Sequence, residues 1–434
     1  MQHNKRLNIA RIHEYKEGFV SGRIESIDNT SIYLSDQSGI NKFYFRITQN
    51  NAVKIGDIIQ IKFQQKDKFF FIDEIKILNS VIKNPTTNQR SPYFKLNKNN
   101  KKLIEILKNR QLFFEHTRRF FITEDFLEIH SPTLVESPGI ESHIEPFETN
   151  YYNFNDRRKK YYLPTSPEFS LKEALSSGLE KIFEIAKTFR NKGENSTLHR
   201  PDFFMLEWYK AYEDYYSIMG DCEKYIKFIG ENLYRRDYIE YKDHKCYITE
   251  FKKVKVKDLF LEHNIDLDNY FNNEQQFIND IKNFFYQKNN EIIDNSLNKE
   301  DLFFRFFLNF IEPNLGFDFP TIVYEYPFEM AKLSKRCEDN PIYSERFELY
   351  ICGIEIANAF GELINPVEQQ NNFKEVIDFR KKNNSLINLR MPKRFLRALE
   401  FGLPPSSGIA LGLERLFMLF ENLNSLEETN LFDF

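Results

Sequence analysis

Between residues 18 and 78, apolar and polar residues alternate in short runs: GFVSGRIESI, SIYLSDQ, KFYFRI, DIIQIKFQQ and FFFIDEIKIL. Asp28-Asn29, Ser38-Gly39, Gly56-Asp57 and Asp67 punctuate them. A period of two bounded by turn residues predicts strands. Five strands in about 60 residues predict an OB-type barrel. The polar, proline-containing stretch KNPTTNQRSP (83–92) reads as a linker. Beyond it, Leu103, Ile106, Leu107, Phe113, Phe114, Phe120 and Phe121 recur at three-four spacing, which predicts a helix over 102–121. Residues 215–320 read as mostly helical and carry no legible motif.

Two later stretches have sharper patterns. In SSGIALGLERLFML (406–419), Gly408, Ala410 and Gly412 alternate with Ile409, Leu411 and Leu413. A strand there puts every small side chain on one face, so a flat ligand or another backbone can approach closely. Leu413, Leu416, Phe417 and Phe420 then switch to helical spacing, leaving Glu414 and Arg415 off the apolar stripe. Arg415 could meet a ligand anion at the edge of the bare face, or simply pack. In KIFEIAKTFRNKGENSTLHRPDFFMLEWY (181–209), Phe183, Ile185 and Phe189 share one face, and Glu184, Ala186, Thr188 and Arg190 share the other. After a polar loop, Phe204, Leu206 and Trp208 point inward and Phe203, Met205, Glu207 and Tyr209 outward. This predicts a hairpin whose open face carries an arginine, a ring and a carboxylate, a set suited to a nucleotide and a cationic substrate.

Bulk composition narrows the class. A chain of 434 residues implies two or three domains. It has no apolar run of the roughly 18–20 residues that a membrane span needs, and its N-terminus lacks the apolar core of a signal peptide. Cys222, Cys246, Cys337 and Cys352 have no paired spacing, which points to a reducing cytoplasm rather than a disulfide or zinc framework. Charge is uneven: residues 1–120 hold 22 Lys+Arg against 11 Asp+Glu, whereas the rest of the chain is acidic. A basic front end implies an anionic partner or a solvated basic face.

The two patterned stretches resemble motifs 3 and 2 of class II aminoacyl-tRNA synthetases, and FLEIHSPTLV (126–135), with Pro132, resembles motif 1. IEPFET, TSPEF, MLEWY, EPNLGFDFPTIVYEYP, ERFELY and GIEIANAFGEL narrow the resemblance to the lysine branch. Within it they look most like the paralogue that attaches (R)-β-lysine to elongation factor P. The resemblance implies an α+β fold: an antiparallel sheet flanked by helices (86–434), preceded by the all-β barrel (1–85). It implies ATP and Mg2+, no membrane, and a homodimer formed through the motif 1 region. By position, Arg190 would hold the α-phosphate and the substrate carboxylate, His199 would approach the triphosphate, Phe203 would stack on adenine and Arg415 would bind the γ-phosphate. Glu348 and Glu355 would hold Mg2+. Glu168 would face the amine near the carboxylate, Glu207, Tyr209 and Glu362 the far amine, and Asn358 the carboxylate. Three acids in one pocket would be costly without a cationic guest, which itself argues for a diamine substrate.

The sequence departs from the family pattern at several places. Motif 2 reads Phe189-Arg190-Asn191-Lys192 where Phe-Arg-x-Glu is usual, so Glu194 is the candidate replacement. Arg200 and Asp202 replace Asn and Glu, and Ala359 replaces Gly. Ala410 matches the paralogue. In the barrel, Ser31 stands where the tRNA-reading frame has a stacking Phe, and Lys42 where it has a Gln. These substitutions make elongation factor P the expected acceptor and tRNA the alternative.

Overall fold

The computed structural model describes residues 6–46, 53–82, 100–194, 196–294, 296–383 and 385–432. The linker expected at 83–92 lies outside them. The chain divides into two compact units, 1–109 with 430–433 and 110–429 with 434.

The first unit contains the strands β1 (Glu17–Ile27), β2 (Ser31–Asp36), β3 (Gly39–Phe45), β4 (Ile58–Lys66) and β5 (Phe69–Asn79). They pair in the order β1-β2-β3-β5-β4, and β4 returns to β1, closing a barrel. Only the β3–β5 pairing among these is parallel. Alternate positions fill the interior: Val20, Ile24, Ile32, Leu34, Phe43, Ile59, Ile61 and Phe63 are fully buried.

The outer surface of β2, β3 and β5 carries a different set. Ser31 is buried there and its hydroxyl donates to Asp28 at 2.7 Å, so it offers no platform. Tyr33 and Tyr44 flank the Lys42 ammonium at 5.4 and 4.9 Å from their ring centres. Phe69 stands edge-on to Tyr44 at 5.3 Å and is half exposed.

The second unit is built on an eight-stranded sheet. Its order is β9 (Lys252–Lys255), β10 (Thr321–Tyr324), β11 (Arg346–Ile351), β12 (Ile354–Gly361), β13 (Ser406–Gly412), β8 (Asp202–Ala211), β7 (Lys181–Phe189) and β6 (Leu127–Glu128). All neighbours are antiparallel except the two outermost pairs. One face is apolar, as the alternation requires: Phe183, Leu206, Trp208 and Leu411 are fully buried. The part of helix α1 (Asn100–Thr123) that belongs to this unit, from Arg110 onward, packs on this face; the Phe121 ring stacks on Phe183 at 4.9 Å and tilts against Trp208 at 5.0 Å. The helices α2 (Glu168–Ser176), α3 (Tyr215–Ile229), α4 (Pro366–Lys382), α5 (Lys393–Gly402) and α6 (Leu413–Phe420) complete the packing. This is the expected α+β architecture.

Residues 215–320 are mostly helical, as expected, but strands interrupt them. The segments Tyr238–Tyr241 and His244–Tyr247 form a hairpin, and Lys252–Lys255 is the sheet's edge strand. Ile239 and Tyr241 are buried while their neighbours are not, so a period of two within four residues decides the local structure. Helices resume at Val256–Leu261, Glu274–Asn289 and Lys299–Phe306.

Phe121 touches Phe120, Phe126, Phe183, Trp208 and Tyr225. Phe121→Ala should therefore cost about 3–5 kcal/mol of stability, read from the denaturation midpoint in urea. A loss under about 1 kcal/mol would mean that this cluster does not anchor the helix to the sheet.

Candidate active site

The sheet's other face is the floor of the site. The strand register lines up Glu207, Ala410, Asn358 and Glu348 in one row, and Tyr209, Gly408, Phe360 and Arg346 in the next. Directly opposed residues share a face. The small residues of β13 thus form a shallow lane, with Glu207 and Tyr209 on one bank and Asn358 on the other. Gly408 is compulsory for packing, since a Cβ there would lie 2.2 Å from the Tyr209 ring and 2.8 Å from Glu362 Oε1. Gly412 is not: a Cβ would meet only the Arg415 side chain, at ordinary distances of 3.4–3.6 Å.

A cavity of about 280 Å³ opens over this lane. Glu141, Glu168, Arg190, His199, Phe203, Glu355, Asn358, Ala410, Gly412 and Arg415 line it. A larger cavity, about 430 Å³, lies elsewhere, beside Lys252, His263 and Asp318. The smaller one is lined by seven of the eleven residues expected at the site. Glu207, Tyr209, Glu362 and Glu348 stand behind its walls.

At one end are the cations. Arg190 ends β7, and its guanidinium sits 5.3 Å from the centre of the Phe203 ring. Its Nε is buried without a partner, so an anion would satisfy it. Arg415, in the first turn of α6, donates to the Leu198 and Glu355 carbonyls at 3.3 and 3.0 Å and to His199 Nε2 at 2.9 Å. A guanidinium only donates, so His199 Nε2 must carry its lone pair, and Nδ1–H faces the Ser196 hydroxyl at 2.6 Å. Burial and the Arg415 charge both lower the His199 pKa, which keeps the ring neutral. Glu194, the candidate replacement for the motif 2 acid, lies 3.8 Å from His199 and is exposed. Glu414 also borders the cavity but is already engaged: it is buried, receives Arg110 at 2.7 Å and the Phe204 N–H at 3.0 Å, and ties α1 and α6 to β8.

At the opposite end are the acids. The Glu207 carboxylate accepts from the Ser166 hydroxyl at 2.6 Å and from Tyr209 at 3.0 Å. Burial, and after it the nearby Glu168 charge, pushes its pKa up to about 8. The surprise is Lys172. Its ammonium is buried between Glu168 and Glu362, 2.5 Å from an oxygen of each. The chain therefore supplies a cation of its own, and the argument that only a cationic guest could make three acids tolerable is corrected. Sequence reasoning also passed over Glu141, a fourth carboxylate in the wall, raised by burial.

A third group of carboxylates flanks Arg415. Burial, then Glu348, raises Glu355. Burial, with Glu355 and Glu348, pushes Glu312 up to about 7. Among the described residues no three acidic, histidine or cysteine side chains form a metal cage, so Glu355 and Glu312 are at most a carboxylate pair beside Arg415. Glu348 is the least available of the three. Arg346 donates to its Oε1 at 2.5 Å, and the Tyr326 and Tyr350 hydroxyls both reach its Oε2 at 2.5 Å.

Comparison with known proteins decides the family. Residues 84–433 match the family described as tRNA synthetases class II (D, K and N). The chain belongs to this family. It is 31% identical to a lysine–tRNA ligase of Wigglesworthia glossinidia brevipalpis, over 95% of this chain and 87% of the relative. Lysine–tRNA ligases of two Buchnera aphidicola strains are 35% identical over 80% of this chain and 66% of theirs (Cinara cedri), and 32% identical over 92% and 80% (Schizaphis graminum). Among the described residues, no helix is long and apolar enough to cross a membrane.

The two floor glycines should separate packing from ligand binding. Gly408→Ala should lower stability by about 1–3 kcal/mol through overpacking against Tyr209. Gly412→Ala should stay within about 0.5 kcal/mol in the ligand-free protein. Thermal melts of both variants check this; equal losses would contradict the clearances described above.

Proposed function

We propose that this class II ligase activates lysine with ATP and transfers it to tRNA. The observation that carries the reading is the charge layout of a single lane: guanidiniums at one end, a bare strand in the middle, and a cage of carboxylates at the other. An amino acid laid along it directs its carboxylate to Arg190 and its ammonium groups to Glu168, Glu207 and Glu362, with Asn358 beside the carboxylate and Tyr209 orienting Glu207. ATP lies towards Phe203, His199 and Arg415. A substrate carboxylate oxygen attacks the α-phosphorus; the bond to the bridging oxygen breaks and pyrophosphate leaves. Arg190 offsets charge at the α-phosphate and Arg415 at the leaving group. Glu355, with Glu312, would hold magnesium, which would screen the phosphates; Glu348 would join only by giving up a protein hydrogen bond. A hydroxyl of the acceptor then attacks the adenylate carbonyl and AMP leaves.

Two observations favour tRNA over the elongation factor P acceptor expected from sequence. The relatives compared above are named lysine–tRNA ligases. The barrel, although Ser31 is buried, presents Tyr33, Tyr44 and Phe69 around Lys42, and base stacking on such rings contributes about 1–3 kcal/mol per base. We keep the 1–85 and 86–434 division, the cytoplasmic location and the homodimer as parts of this reading. Leu112, Ile122, Leu127 and Leu134, all in or near the motif 1 segment, are exposed on the monomer, as a two-fold interface would require. Light scattering should give twice the 52.2 kDa chain mass; a monomer at micromolar concentration would contradict the dimer.

Lysine-dependent exchange between ATP and pyrophosphate should fall at least about 100-fold in Arg190→Ala and in Arg415→Ala. The acceptor is decided by offering lysine tRNA and elongation factor P side by side to the full chain. Charging of tRNA, weakened in Tyr33→Ala and Tyr44→Ala with exchange unchanged, is the expected result. Labelling of elongation factor P with either lysine or (R)-β-lysine, and none of tRNA, would restore the acceptor expected from sequence.

A further inference from the structure

Lys172 has no place in the reaction described above, yet it stands inside the acid cage. It follows Glu168 by one helical turn on α2, so the two side chains share a face. Glu362 comes from the opposite side, immediately after β12. All three meet out of water: Lys172 and Glu362 side chains are 1% exposed and Glu168 is 14% exposed. An ion pair this dry cannot be a surface decoration, and removing one partner leaves an uncompensated buried charge.

We infer that Lys172 is a positioning residue whose ammonium, seated between Glu168 and Glu362, holds both carboxylates in the cage, so that the cage offers two net negative charges to a substrate with two ammonium groups. The accounting rests on the proposed lysine reading. With a substrate ammonium present to oppose the burial that raises Glu207, Glu168, Glu207 and Glu362 contribute three negative charges and Lys172 one positive. The remaining two match the α- and side-chain ammonium groups of a diamine amino acid, while Arg190 takes its carboxylate. The other groups facing this cluster do not replace Lys172. Glu207 and Tyr209 of β8 and Glu141 of the loop before α2 are acids, and Gly408 of β13 has no side chain. Burial raises Glu362, with Glu168 adding to the rise, and Lys172 is the first cause opposing it. Without Lys172 both remaining causes favour the neutral acid, which cannot pair with an ammonium.

The sign of the effect follows. In Lys172→Met, Glu362 loses the ammonium that opposes its protonation, so the carboxylate is harder to form at neutral pH, and base restores it. The lysine KM in ATP–pyrophosphate exchange should rise at least about tenfold over wild type at pH 7, with the ATP KM within about twofold. Measured as a ratio to wild type at the same pH, which cancels titration of the substrate, the excess should shrink by at least about threefold by pH 9. The double variant Lys172→Met/Glu362→Gln has no carboxyl to restore and leaves fewer unpaired buried charges, so it serves if the single variant folds poorly. Its lysine KM ratio should stay flat between pH 7 and 9. A ratio for Lys172→Met that is independent of pH, parallel losses for ATP and lysine, or a double variant that recovers with base would each overturn the inference while leaving the lysine reading intact. Absence of lysine-dependent exchange in the wild type would sink the reading itself, and this inference with it.

Discussion

The site depends on the register of three strands. β13 runs between β8 and β12, and its small residues fall opposite Glu207, Tyr209, Asn358 and Phe360. A slip of one residue would turn Ile409 and Leu411 into the lane and bury the glycines against the helices. Register holds because the reverse face is locked: Trp208, Leu411 and Phe183 are fully buried, and Phe121 packs on two of them. An aromatic core under the sheet thus fixes the polar chemistry above it.

Charge is arranged along the lane by the elements that end there. Arg190 stands at the end of β7 and Arg415 in the first turn of α6, so both cations lie at one end. Glu168 starts α2 and Glu362 follows β12, so the acids gather at the other. The separation matters because the two ends ask for opposite things. The phosphate end needs guanidiniums with unmet hydrogen-bonding capacity, and Arg190 Nε has it. The amino-acid end needs carboxylates that stay charged although buried, which desolvation opposes. Lys172 opposes desolvation at Glu362 from within the chain, whereas at Glu207 the hydrogen bonds from Ser166 and Tyr209 offset it only in part.

Much of this was legible from the sequence where periodicity is strong. The alternation in 183–189, 203–209 and 408–412 assigned faces correctly, with Leu206 and Trp208 on one and Glu207 and Tyr209 on the other, but the second face, expected to be open, is buried at Glu207 and Tyr209 as well. The barrel's five strands were legible for the same reason. Lys172 was not. Four residues after Glu168, it reads as an ordinary pair on a helix surface, and only the sheet packed beneath it and the distant Glu362 make it an interior cation. Glu348 misled in the opposite direction: its spacing from Glu355 was legible, but the hydroxyls of Tyr326 and Tyr350 that occupy it come from a neighbouring segment and from its own strand. The hairpin at 238–247 was lost inside a helical neighbourhood because four-residue strands give periodicity too little length to register.

The central claim is that the carboxylate cage selects an amino acid by the charge at the end of its side chain. Norleucine has the carbon chain of lysine without the terminal ammonium, so comparing the two isolates that charge. The account predicts that kcat/KM for ATP–pyrophosphate exchange favours lysine over norleucine by at least about 1,000-fold, because norleucine would leave the buried carboxylates without their partner. A difference within about tenfold, the scale of a methylene in an apolar pocket, would contradict it.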